Sequence, residues 1–173
     1  WSLVSLLRSN AWEVAHTEMN LEGTLGQMAV RGKADLVLVR GDERAIVDLK
    51  WSGERRRKEL IMNGEDLQLV LYAKLLPPPG TWPHTAYFIL EEGKIIARNA
   101  GAFRESIVAG KGAVDHCAAC DTNFEKMEKT FAWRMDQIRR GALELRTGRT
   151  AAELEALYEG QLFDLLEMKT EDA

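Results

Sequence analysis

The sequence predicts an α/β fold with a central mixed sheet flanked by helices. Three observations carry that prediction. Segments with strand character, a helix, further strands and then helices follow one another along the chain, an order that suits a sheet with helices packed on it. Two Val/Ile/Leu-rich runs, Asp35 to Arg40 and Arg44 to Lys50, flank Gly41-Asp42, a two-residue hairpin turn. Between this pair and a second strand pair lies an apolar helical segment that runs into Pro77-Pro78-Pro79.

In chain order, Val14 to Val30 reads as two short strands around Gly23 and Gly26. The clear hairpin follows, and then a basic loop, Arg55-Arg56-Arg57-Lys58. A helix is predicted from about Gly64 to Leu76, with Asn63 as its N-cap and with Glu65 and Asp66 in the first turn, where the helix dipole favours negative charge. Leu67, Leu69, Val70, Leu71, Ala73, Leu75 and Leu76 wrap most of its circumference, which marks it as buried. Thr85 to Leu90 and Lys94 to Arg98 form a second hairpin around Glu92-Gly93. Residues 99 to 123 are Gly/Ala-rich and poorly periodic. A long amphipathic helix spans about Asn123 to Leu145, and a shorter one Ala151 to Leu166. No internal repeat is present.

The 173 residues suit one domain, with 46% hydrophobic and 29% charged residues, ordinary for a globular protein. No apolar run approaches the roughly 18 residues that read as a membrane span, so no membrane partner is expected. Two cysteines do not make a disulfide framework, and a cytoplasmic setting is the expectation. Because the first residue is Trp1, the chain is expected to start inside a longer protein. The net charge of −4 gives no support to nucleic-acid binding, although local positive charge and a metal ion would permit it.

The chemistry concentrates in the first hairpin. With Gly41-Asp42 as the loop, Arg40 faces Glu43 and the ladder ends with Asp35 facing Asp48, Gly41 suiting a type II′ turn. Asp48 and Lys50 share a face, as do Asp35 and Val37. Two opposed carboxylates, with Cβ atoms about 5 Å apart, repel in an ordinary hairpin. A hard divalent cation wants that arrangement. Lys50 could then orient a metal-bound water or stabilise charge on a phosphate. The residues alone also allow a longer loop, Gly41 to Arg44, pairing Asp35 with Lys50 as an ion pair. Glu65, Gln68 and Tyr72 are spaced along one helical face. Gln68 and Tyr72 are the only hydrogen-bonding side chains from Leu67 to Ala73, so they need polar partners if buried.

The runs G-K-A-D (Gly32 to Asp35), V-D-L-K (Val47 to Lys50) and Q-L-V-L-Y (Gln68 to Tyr72) resemble the RecB/AddB-like branch of the PD-(D/E)XK nuclease superfamily. The resemblance covers residues 14 to 98, with a weaker echo in the helix ending at Gly141. It implies a restriction-endonuclease-like core and a metal-dependent deoxyribonuclease, an exonuclease module of a recombination, repair or mobile-element protein. It implies that Asp35, Asp48 and the Leu49 carbonyl bind Mg²⁺ or Mn²⁺, that Lys50 positions the attacking water, and that Gln68 and Tyr72 support the site. DNA is the implied partner, with a helicase or further domains of the same protein beside it. The family's upstream His or Glu sits on a helix; His16 and Glu18 read as strand-borne, so the role is not transferred, and Glu18 is kept only as an acidic residue near the sheet.

Arg55, Arg56, Arg57 and Lys58 are either a solvated loop or contacts to DNA phosphates. Trp51 is either half-buried core or a base-stacking platform. Cys117 and Cys120 form a CxxC beside His116, expected as free thiols in a loop; two cysteines are too few for an iron–sulfur cluster within this chain. Phe124, Met127, Phe131 and Ile138 form the apolar stripe of the long helix. The rival reading is a catalytically idle fold of the same type that binds DNA or serves as a scaffold.

Overall fold

The computed structural model describes residues 2–76, 81–109 and 116–141. The chain divides into two compact units, Trp1–Trp133 and Arg134–Ala173, and the sheet lies wholly in the first. A short helix α1 (Leu3–Ser9) precedes β1 (Glu13–Leu25), β2 (Met28–Arg40) and β3 (Glu43–Lys50). Helices α2 (Glu54–Asn63) and α3 (Leu67–Leu75) lead to β4 (His84–Ile89), β5 (Lys94–Ala97), β6 (Ile107–Val108) and α4 (His116–Arg139).

The six strands lie in sequence order in one sheet. Pairs β1/β2, β2/β3 and β4/β5 are antiparallel, while β3/β4 and β5/β6 are parallel. The sheet is therefore mixed and flanked by helices, as the sequence predicts. A parallel β3/β4 pair needs a crossover of a dozen or more residues, and α2 and α3 supply it. Alternate residues face opposite ways. Leu36, Leu38, Ala45, Val47 and Phe88 pack with Leu6 and Leu7 of α1. Val37, Ile46, Tyr87, Ile89 and Ile96 pack with Ile61 of α2 and Leu69, Ala73 and Leu76 of α3. Phe124 and Met127 of α4 join Val70 and Leu25, with Phe131 against them; Ile138 belongs to the second unit.

Several expectations are corrected. The N-terminal strands are long, 13 residues each, and β2 runs unbroken through Asp35 to Arg40. Their turn is Gly26-Gln27; Gly23 is mid-strand, where a Cβ would stand 2.4 Å from Leu75 Cδ2. Glycine there lets α3 approach the sheet. The basic run is the first part of α2, not a loop. Asn63 ends α2, capped by Gly64 at φ 65°, and the N-cap of α3 is Asp66. Glu65 thus lies outside α3, off the helical face expected for it. Leu67, at 43% exposure, leaves one side of α3 open to water. The CxxC lies in the first turns of α4 rather than a loop, and α4 ends at Arg139 rather than Leu145. The predicted helix 151–166 and the triple proline fall outside the described residues.

Candidate active site

The hairpin register is the expected one: Arg40↔Glu43 through Leu36↔Val47. Gly41 has φ 58° and Asp42 stays out of the left-handed region, as a type II′ turn requires. Asp35 and Asp48 are the next residue on each strand. There the ladder changes: the Leu49 N–H is donated to Asp35 Oδ2 at 2.7 Å. A side-chain oxygen has replaced a backbone acceptor, which pins the Asp35 carboxylate against β3. Asp35 shares its face with Val37, and Asp48 with Ile46, so both aspartates belong to the face that α2 and α3 cover.

Asp48 is 2% exposed. Lys50 Nζ stands 2.8 Å from its Oδ2. That is an ion-pair distance, and it excludes the alternative in which Lys50 pairs with Asp35. Among the described residues the Lys50 ammonium is the only cation at ion-pair distance from this buried oxygen. Burial pushes the Asp48 carboxyl above the usual carboxylate range; Lys50 pulls it back, Asp35 adds repulsion and Arg57 a smaller pull down. A buried carboxylate met by one ammonium and pressed by a second carboxylate is costly for a fold alone. It suits a hard cation, which takes one or two carboxylates, carbonyls and waters as ligands. Asp35, Asp48 and the Leu49 carbonyl fit that donor set. Among the described residues no group of three or more His, Cys, Asp or Glu side chains converges.

Tyr87 is the residue missed in the sequence. It pairs with Asp48 in the parallel β3/β4 register and is 1% exposed. Burial first, then the charges of Asp66 and Asp48, hold its phenol protonated far above the usual tyrosine range. No motif marks it, because a parallel register between strands separated by two helices cannot be counted from sequence.

Gln68 donates to Tyr72 Oη at 3.2 Å. The Tyr72 ring lies over Gly32, where a Cβ would stand 2.4 Å from its Cε1. The pair therefore seats α3 on β2, three residues before Asp35. Gln68 is exposed rather than buried, so its partner is Tyr72, not an interior site. Trp51 is 72% exposed, so it is not core. Its backbone is held beside β4 by the bonds Leu90 N–H to Lys50 O and Glu91 N–H to Trp51 O. Arg55 pairs with Glu59 at 2.9 Å, Arg56 is exposed, and Arg57 and Lys58 are half-buried.

Glu18 and His16 are strand-borne, as the sequence predicts. Glu18 lies between the pairs Thr17↔Leu36 and Met19↔Ala34, level with Asp35, and has φ 50°. Its carboxylate is 2.8 Å from Lys33 Nζ, and both side chains are exposed. Cys117 is half-buried, and Cys120 is buried with its thiol pushed up to about 11 by burial, which holds it protonated.

The chain belongs to the PD-(D/E)XK nuclease superfamily, whose family profile matches residues 3–153. Members of this superfamily generally hydrolyse nucleic acids with divalent metal ions. No curated protein and no solved structure matches the chain. Among the described residues no helix is long and apolar enough to cross a membrane.

Proposed function

We propose that this protein is a Mg²⁺- or Mn²⁺-dependent deoxyribonuclease, acting as an exonuclease module of the RecB/AddB-like kind in cytoplasmic DNA recombination, repair or mobile-element processing. The observation that carries the reading is Asp48, buried beside Asp35, with its Oδ2 met among the described residues by the Lys50 ammonium alone at 2.8 Å. A bound divalent ion supplies Lewis-acid stabilisation of the phosphate and lowers the pKa of water. Asp35, Asp48 and the Leu49 carbonyl would hold it. The Lys50 ammonium, 2.8 Å from Asp48 Oδ2, orients the attacking water. The water oxygen bonds to phosphorus, one P–O ester bond breaks, and the displaced oxygen leaves with a proton. Gln68 and Tyr72 keep α3 seated against the strand that carries Asp35. The exposed Arg55 and Arg56 and the half-buried Lys58 meet backbone phosphates, and Trp51 offers a stacking face for a base. A helicase, or further domains of the same protein, would feed the strand in.

The test is cleavage of end-labelled single- and double-stranded DNA with Mg²⁺, Mn²⁺ or EDTA, beside Asp48→Ala. Metal-dependent shortening from an end by wild type alone is the expected result. Internal cutting would replace the exonuclease assignment with an endonuclease one. Binding without cleavage in either metal would establish the idle DNA-binding module instead.

A further inference from the structure

The basic residues that open α2 are not equivalent. Arg55 is tied to Glu59, and Arg56 is exposed. Arg57 turns toward the sheet, with its guanidinium carbon 5.4 Å from the centre of the Tyr87 ring. Tyr87 is the register partner of Asp48. The Arg57 Nε is buried and has no hydrogen-bond partner among the described residues. Its charge reaches Asp48 and Tyr87, lowering the proton affinity of both.

We infer that Arg57 is the second cation of the site, binding a non-bridging oxygen of the phosphodiester being cut and stabilising the charge that grows there. This rests on the nuclease reading above. A guanidinium packed on an aromatic face is held in place by the ring as well as by its own stem, and its planar fork matches two phosphate oxygens in a way an ammonium cannot. Lys50 already contacts Asp48 at 2.8 Å, so its charge is shared with a carboxylate. Arg57 carries an Nε–H that has no acceptor among the described residues. The two cations come from different elements, β3 and α2, and so can address the phosphate from different directions. A group serving only to balance Asp48 would be expected to bond to it, and no hydrogen bond or ion pair joins Arg57 to Asp48.

The experiment measures kcat and KM at saturating Mn²⁺ on a 5′-labelled oligonucleotide, single-stranded and as a duplex, for wild type, Arg57→Gln and Arg57→Lys. The Mn²⁺-induced rise in melting temperature without DNA is measured alongside. Arg57→Gln should lower kcat by about 10²-fold, the scale of losing one charge-stabilising group, with KM changed less than about 3-fold. Its Mn²⁺-induced rise should match wild type, and Arg57→Lys should recover part of kcat. Three results overturn the inference: kcat of Arg57→Gln within 2-fold of wild type, a loss confined to KM, or a kcat loss accompanied by loss of the Mn²⁺-induced rise. The last would mean that Arg57 acts by holding Asp48. Should Arg57→Gln melt below the assay temperature, Arg57→Met keeps an apolar stem on Tyr87, and the same outcomes apply. Wild-type protein that cuts neither substrate overturns the nuclease reading and this inference together, whereas a cutting wild type matched by Arg57→Gln overturns this inference alone.

Discussion

Two buried aspartates stand on the helix-covered side of this molecule, and they are built differently. Asp66 is 1% exposed and Asp48 is 2% exposed; burial raises the proton affinity of both. Asp66 is answered in full. Arg98, itself buried, donates from Nη2 to both of its carboxylate oxygens. Asp48 has a single lysine at ion-pair distance, on Oδ2, and a second carboxylate pressing on it. Both carboxylates are desolvated, yet only one is closed off. The lesson is that burial alone does not mark a functional carboxylate. What sets Asp48 apart is that one lysine meets its charge while a second carboxylate opposes it, an arrangement from which folding by itself gains little. The Asp66–Arg98 pair also serves the other site: Asp66 stands at the N-cap position of α3, ties it to the end of β5 through Arg98, and so fixes the helix that seats Tyr72 over β2.

The largest expected effect separates the two by activity. Asp35→Asn, Asp48→Asn and Lys50→Gln should each reduce cleavage by at least about 10²-fold, the scale of removing a group that stabilises developing charge. Their folds, read by circular dichroism, should be unchanged. Asp66→Asn should keep near-wild-type activity per folded molecule. An Asp66 variant that folds normally but is inactive would move Asp66 into the chemistry and end the distinction.

Stability should divide them the other way. Asp66→Ala strands a buried guanidinium, and breaking a buried pair in this manner costs about 3–5 kcal/mol. Denaturant unfolding of Asp66→Ala and of Asp48→Asn, both metal-free, checks this. A loss under about 1 kcal/mol at Asp66 would show that Arg98 finds another acceptor and that the pair is not what anchors α3.

Much of this site is legible in sequence because a two-residue turn leaves no freedom of register. Once Gly41-Asp42 is the loop, Arg40 must face Glu43 and Asp35 must arrive beside Asp48. The Q-x-x-x-Y pair is legible for a similar reason, since helical spacing puts Gln68 under Tyr72. The failures have physical causes too. Asn63 and Asp66 both offer an N-cap side chain, and only the left-handed Gly64 between them, which ends α2, decides for Asp66. The run from Arg55 to Lys58 reads as loop because α2 buries little beyond Ile61 and shows no apolar stripe. The N-terminal strands look short because β1 is exposed along most of its length, so its alternation is weak. Tyr87, Arg57 and the Asp66–Arg98 pair depend on contacts across the β3/β4 crossover, which no local pattern records.

A smaller effect tests whether the anchored helix matters to the open site at all. Gly32→Ala places a methyl 2.4 Å from Tyr72 Cε1, so the ring must shift while both aspartates stay untouched. Overpacking of this kind costs about 1–3 kcal/mol. Activity should fall by about 10-fold, a displacement effect rather than loss of a reacting group, and Tyr72→Phe should lose less. If Gly32→Ala cuts DNA at the wild-type rate, the seating of α3 on β2 does not set the position of Asp35.

The smallest effect concerns the metal-free protein and isolates Asp48 by its response to pH. Burial, with repulsion from Asp35, raises its folded-state pKa above that of the unfolded chain despite Lys50 and Arg57. The native state therefore holds this proton more tightly than the unfolded state. Its contribution to stability is complete below the unfolded carboxylate value and is lost as pH rises through the raised folded value. Asp66 shifts in the same direction, so wild type alone cannot separate the two. The difference between wild type and Asp48→Asn can, because Asp66 and the other groups that do not interact with Asp48 cancel. In EDTA the variant should gain on wild type from about pH 4 upward, with the gap levelling off once Asp48 is ionised. For a chain of this size each 1 kcal/mol is worth about 2–4 °C in melting temperature, so a gap of a few degrees is the expected scale. Adding Mn²⁺ above that pH should raise the wild-type melt and leave Asp48→Asn where it was, since only the ionised carboxylate binds the ion and stabilises the fold by linkage. A gap that is flat with pH would mean that Asp48 is as closed as Asp66. Equal Mn²⁺ responses in the two proteins would remove Asp48 from the metal site.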